Sequence, residues 1–269
     1  MWQNTVGYRG CEVNLHEAIR DAFTVEYLMT PRERLQTASE CPAPQSDPCY
    51  DVIPRTVGER IVGLWVLREG EYVPEPLTED WMLAHSTPIR EVIRLFSESS
   101  AKPAYLVVNG ARVDGIVSRA DLNKVACRTY LFTLIGELEY WLGRLIRHSL
   151  LVERLPEEQV LQWLRPNRRQ KVLEQYCQMQ SENADLGYVD ALAFCDIVEI
   201  VARMPRLRGR LGFSSARRTR KELGGLEDLR NGIAHPIRQI YPAIESKEVY
   251  QQVEQAEKIL EKIRDSFPT

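Results

Sequence analysis

A chain of 269 residues with net charge −3, 44% hydrophobic and 27% charged, has the make-up of a soluble globular protein long enough for two domains. No apolar run of the ~18 residues that a membrane span needs occurs, and Met1–Thr5 lacks the basic start and apolar stretch of a secretory leader. Six cysteines (Cys11, Cys41, Cys49, Cys127, Cys177, Cys195) form no Cys-x-x-Cys pair, and four histidines (His16, His85, His148, His235) sit at no ligand spacing, so reduced thiols, a cytoplasmic location and no zinc site are expected.

In chain order, residues 13 to 28 mix apolar and charged positions at helical spacing (Val13, Ala18, Ile19, Ala22, Phe23), and Met29-Thr30-Pro31 begins a new segment. A Pro-rich loop, Cys41–Pro48, precedes two predicted strands, Asp51–Pro54 and Arg60–Val66, separated by the polar turn Thr56–Glu59. A related pattern follows downstream: a short amphipathic helix over Thr87–Phe96, a strand over Ala104–Val108, a tight turn at Asn109-Gly110, and a returning strand over Arg112–Val117. Ser118-Arg119-Ala120-Asp121 then opens a helix. A serine at a strand-to-helix junction presents donors suited to a phosphate, and an aspartate accepts from ribose hydroxyls. The same two residue types also form a helix cap with no ligand at all.

Gly115-Ile116-Val117-Ser118-Arg119-Ala120-Asp121 resembles the closing pattern of a CBS (cystathionine β-synthase-type) module: glycine, two apolar residues, Ser or Thr, two residues, Asp. Such modules come in pairs, and the resemblance covers roughly residues 29 to 127. It implies an α+β N-terminal domain, residues 1–127, that binds an adenine nucleotide as a regulator through Ser118 and Asp121. The first repeat departs from the pattern, since Gly63-Leu64-Trp65-Val66-Leu67-Arg68-Glu69 lacks the hydroxyl and ends in Glu. It is expected to serve as a structural partner covering the sheet of the second.

Beyond Asn123-Lys124 the pattern becomes helical. Leu131, Leu134, Ile135, Leu138, Leu142, Leu145 and Ile146 make one broad apolar face on a long helix that runs directly out of the preceding unit. Further helices are predicted near 157–164, 167–181 and 189–204, the last with Phe194, Ile197, Val198 and Val201 inward and Pro205 ending it. The closing helix, from Ser246, buries Val249, Val253, Ala256, Leu260, Ile263 and Phe267. Charge is uneven: residues 203 to 221 hold eight basic and no acidic residues, and 165 to 221 carry a net +6, which leaves −9 for the remainder. The stretch 206–218, with two glycines and two serines, reads as a basic loop leading into a helix over about 219–235. Arginine at this density suits a phosphate backbone, with Arg208, Arg210, Arg217, Arg218, Arg220 and Lys221 as RNA-binding candidates; a solvated loop is the alternative.

That helix carries Leu229-Arg230-Asn231-Gly232-Ile233-Ala234-His235-Pro236. A guanidinium can hold a phosphate by two prongs and an imidazole can carry a proton near neutral pH, so the pair can cleave RNA without a metal. Residues five apart on a helix point about 140° away from one another. Pro236 disfavours helix at His235, so the helix should end there. Leu226, Leu229 and Ile233 then form the inward stripe, Arg230 flanks it, and Asp228, Asn231 and His235 share the polar side. Arg-x-x-x-x-His with a polar residue after the arginine resembles the motif of HEPN (higher eukaryotes and prokaryotes nucleotide-binding) ribonucleases. The resemblance implies an all-α domain over 128–269 in which Arg230, Asn231 and His235 are catalytic and the second copy of a homodimer completes the site. It further implies a nucleotide-regulated, metal-independent endoribonuclease acting on RNA, a toxin or a stress or defence effector, with no catalytic cofactor. The alternative is a non-catalytic ligand-sensing, dimerising and nucleic-acid-binding protein.

Overall fold

The computed structural model describes residues 15–43, 50–182, 186–235, 239–241 and 245–266. Val13, Pro236, Phe267, Cys11, Cys49, the first five residues and most of the Pro-rich stretch lie outside them. The fold is mixed α+β, about 59% helical and 18% strand, with two small sheets ahead of a helical C-terminal region.

Helix α1 (Leu15–Ala22) and the two-residue strand β1 (Thr30–Pro31) precede an antiparallel meander of β2 (Val52–Val57), β3 (Arg60–Arg68) and β4 (Glu71–Pro76). The sequence reading missed β4. Glu69 and Gly70 are both at positive φ, the geometry of a two-residue hairpin whose twist matches its strands. With both connections this short, no crossover helix fits, so residues 52–76 do not repeat the strand–helix–strand pattern that follows. That pattern consists of β5 (Met82–Ala84), α2 (Ile89–Ser97), β6 (Ala104–Asn109) and β7 (Arg112–Ser118). Its sheet has the order β1-β7-β6-β5, with β5 and β6 parallel. Asn109 pairs with Arg112, so the turn centres on Gly110-Ala111 rather than on Asn109-Gly110. Gly115 is required by close approach, because a Cβ there would lie 2.5 Å from the Thr30 carbonyl of β1.

The meander covers one face of the second sheet, packing Val52, Leu64 and Val66 with Trp81 against Ala104, Leu106 and Ile116. The other face, with Tyr105, Val107 and Val117, buries the apolar side of α2 and continues without a break into the helical region.

There α3 (Val125–Glu153) is the central element, touching α1, α5 (Phe194–Arg203), α7 (Ala216–Ala234) and α8 (Ser246–Arg264). Helix α4 (Pro166–Ser181) buries only Val172 and is fastened through Arg168, whose guanidinium grips buried Asp196 at 2.8 and 2.6 Å. The stretches 157–163 and 188–191 are 3-10 turns. Helix α5 ends at Arg203, and Pro205 starts a further short helix, α6 (Pro205–Arg210). The predicted basic loop is therefore helical at both ends, and only residues 211–215 connect. The two halves of the chain share one core and a clasp: Arg90 of α2 donates three hydrogen bonds of 2.7 to 3.0 Å to Glu257 of α8.

Candidate functional site

Helix α7 begins where Ser215 accepts a bond from the Arg218 amide at 3.2 Å, and it buries Leu223, Leu226, Leu229 and Ile233. It runs through Gly232 and stops at Ala234, leaving His235 extended at φ −104° and ψ 95°. The last carbonyls of a helix need outside donors. Buried Arg128 supplies them: its Nη1 lies 3.4, 3.3 and 3.4 Å from the carbonyls of Gly232, Ile233 and His235, and its charge suits the negative end of the helix dipole.

Of the predicted catalytic residues, Asn231 and His235 are exposed and Arg230 is half-buried, the arrangement that periodicity implied. No hydrogen bond or ion pair joins Arg230 to His235 among the described residues. Arg230 instead faces α3, with Nη2 3.7 Å from Oε2 of Glu139. Burial pushes the Glu139 carboxyl above the usual range, and Arg230 partly opposes the rise. Glu227, one turn before Arg230, is likewise raised, chiefly by burial and next by Asp228. The arginine thus stands among carboxylates that compete with a phosphate for it.

The basic segment is less free than its sequence suggests. Arg220 grips Glu199 at 2.7 and 3.0 Å, Arg203 shares that carboxylate, Arg218 pairs with Glu222, and Arg206 lies 3.7 Å from Glu153. Arg208 donates to the Ala202 carbonyl at the end of α5. Arg210, Arg217 and Lys221 are exposed and form no ion pair among the described residues.

Ser118 and Asp121 line a cavity of about 380 Å³ between the meander and the second sheet, with Arg34, Gln36 and Asp51 also at its wall. They form a capping box rather than a free pair. Asp121 Oδ2 accepts from the Ser118 amide and hydroxyl at 2.6 and 2.9 Å, and Oδ1 accepts from Lys124 at 2.8 Å. The helix expected to open there is a 3-10 turn, Arg119–Asn123. Among the described residues, no group of three or more His, Cys, Asp or Glu side chains is placed to hold a metal ion. Cys41, Cys127, Cys177 and Cys195 are free thiols, and burial pushes that of Cys127 up to about 12.

Sequence reasoning missed Arg128 and Glu139. A signal for the first was present: Arg128 precedes Leu131, Ile135, Leu138 and Leu142 at three- and four-residue steps, which puts a charge on an apolar stripe and requires a buried partner.

Compared with protein-family models, with curated proteins and with solved structures, the chain gives no match.

Proposed function

We propose that the chain is a nucleotide-regulated endoribonuclease of the HEPN type, acting as a homodimer, with an N-terminal CBS-like unit as its sensor. The observation that carries the reading is the end of α7, where the Arg230 guanidinium and the His235 imidazole both reach solvent on one helix that terminates at the histidine. Arg230 holds the scissile phosphate and stabilises charge on its oxygens, while His235 takes the proton of the RNA 2′-hydroxyl as that oxygen bonds to phosphorus; the P–O5′ bond breaks and the departing 5′-oxygen takes a proton from solvent water. Asn231 orients the phosphate or the imidazole. The products carry a 2′,3′-cyclic phosphate or its opened form. Exposed Val125, Phe132 and Tyr140 on α3, beside Glu139, offer an apolar face to the second copy, and Arg210, Arg217 and Lys221, which form no ion pair among the described residues, offer charge to the RNA backbone. An adenine nucleotide occupies the cavity at Ser118 and Asp121. The role is that of a toxin or a stress or defence effector.

A non-catalytic sensor that dimerises and binds nucleic acid is the competing reading, favoured by the pairing of Arg230 with Glu139. RNA digestion in EDTA by the purified protein and by His235→Ala separates the two. Cleavage by the wild type that the variant lacks supports the enzyme; RNA binding without cleavage supports the sensor.

A further inference from the structure

We infer that Arg128 and Asn123 are positioning residues that set the histidine end of α7 from the turn at the wall of the cavity; their catalytic consequence rests on the reading of His235 as the proton-transfer group. The turn Arg119–Asn123 carries two sets of contacts. In its middle, Asp121 lines the cavity, caps Ser118 and accepts from Lys124. Lys124 also donates to the Leu28 and Met29 carbonyls at 2.6 and 3.2 Å, just before β1, whose Thr30 lines the same cavity. At its end, the Asn123 side chain accepts from the Ile240 and Tyr241 amides at 2.7 and 3.0 Å and donates to the Tyr241 carbonyl at 2.8 Å. The Asn123 carbonyl accepts from Arg128 Nε at 3.1 Å, and the same guanidinium caps Gly232, Ile233 and His235.

The histidine end of α7 at 232–235 and the chain at 240–241 are therefore each held by one of two residues five apart at the junction of sheet and helix. A guanidinium is a rigid fork, so Nε on the turn and Nη1 on α7 cannot move independently. An occupant of the cavity that draws on Asp121 competes with Lys124, loosens the turn, and shifts the donors that fix His235. Exchange of backbone amides measures this coupling.

Hydrogen–deuterium exchange followed by mass spectrometry compares the full-length wild type with Arg128→Gln, Asn123→Ala and Asp121→Asn, with Arg90→Gln as a control that cuts the α2–α8 clasp instead. Exchange within 229–235 and at 240–241 is expected to quicken roughly tenfold in Arg128→Gln and Asn123→Ala and about threefold in Asp121→Asn, with β6 and the middle of α8 unchanged. Wild-type exchange of 229–235 and 240–241 in Arg128→Gln overturns the inference, as does acceleration spread equally over β6 and α8. Should Arg128→Gln not fold, Arg128→Lys keeps the charge, loses the fork and carries the same comparison. In RNA cleavage, Arg128→Gln is expected to lower kcat and leave KM unchanged, since it misplaces His235 without touching substrate; an unchanged kcat in a variant with accelerated exchange also overturns the positioning role. Absence of cleavage by the wild type counts against the proposed function and leaves the exchange comparison decisive for the coupling.

Discussion

Arg230 on α7 and Glu139 on α3 stand 3.7 Å apart across the helix crossing that carries the motif. Burial of Glu139 outweighs the attraction, so its carboxyl lies above the usual range. A folded value above the unfolded one means that the folded state holds the proton longer; the resulting stability is present below the ordinary glutamate range and is lost as pH rises through the folded value. Glu139→Gln removes that loss. Urea unfolding between about pH 4 and pH 8 should show the variant gaining on the wild type as pH rises, while Arg230→Gln, which deletes the lowering influence, should raise the Glu139 carboxyl further. A constant difference across the range would mean that Glu139 is not perturbed.

Roles within the motif are graded. Arg230→Ala and His235→Ala should each lower RNA cleavage by about 10²–10⁴-fold, and Asn231→Ala by roughly tenfold, because an orienting amide contributes less than a charged phosphate ligand or a proton carrier. Single-turnover rates in EDTA provide the measurement. Equal losses for all three would contradict the assignment.

Cations that are already paired should matter less to RNA than free ones. Arg210→Ala, Arg217→Ala and Lys221→Ala should weaken binding to unrelated RNAs by similar factors and flatten the salt dependence by about one slope unit for each phosphate no longer neutralised. Arg220→Ala and Arg218→Ala, whose partners are Glu199 and Glu222, should change the slope less. Binding titrations over a range of salt check this, and a larger effect from Arg220 than from Arg217 would reverse the ranking.

Asp121 has a structural duty whether or not a nucleotide binds. Asp121→Ala should cost about 1–2 kcal/mol of stability through loss of the capping box and of the Lys124 ion pair. Calorimetric titration of the wild type with AMP and ATP reads the second duty, which the variant should lose. No heat at millimolar nucleotide would leave Asp121 as a cap alone.

Local pattern was enough to place the long helix α3, the histidine end of α7 and the inward stripe of Leu226, Leu229 and Ile233, because a helix fixes which side chains share a face and proline fixes where it stops. It was also enough to mark Ser118 and Asp121 as one polar unit. Local pattern could not distinguish a loop from the short helix α6, or reveal β4, because turn geometry at Glu69-Gly70 and capping at Pro205 are set by a few residues whose neighbours allow either outcome. Partners depended on the tertiary structure. Which arginines are spent on Glu199 and Glu222, that Arg230 faces Glu139, and that Arg128 closes the end of α7 from more than a hundred residues away follow only when distant helices meet, since a charge is fixed by what approaches it in space and not by what adjoins it in sequence.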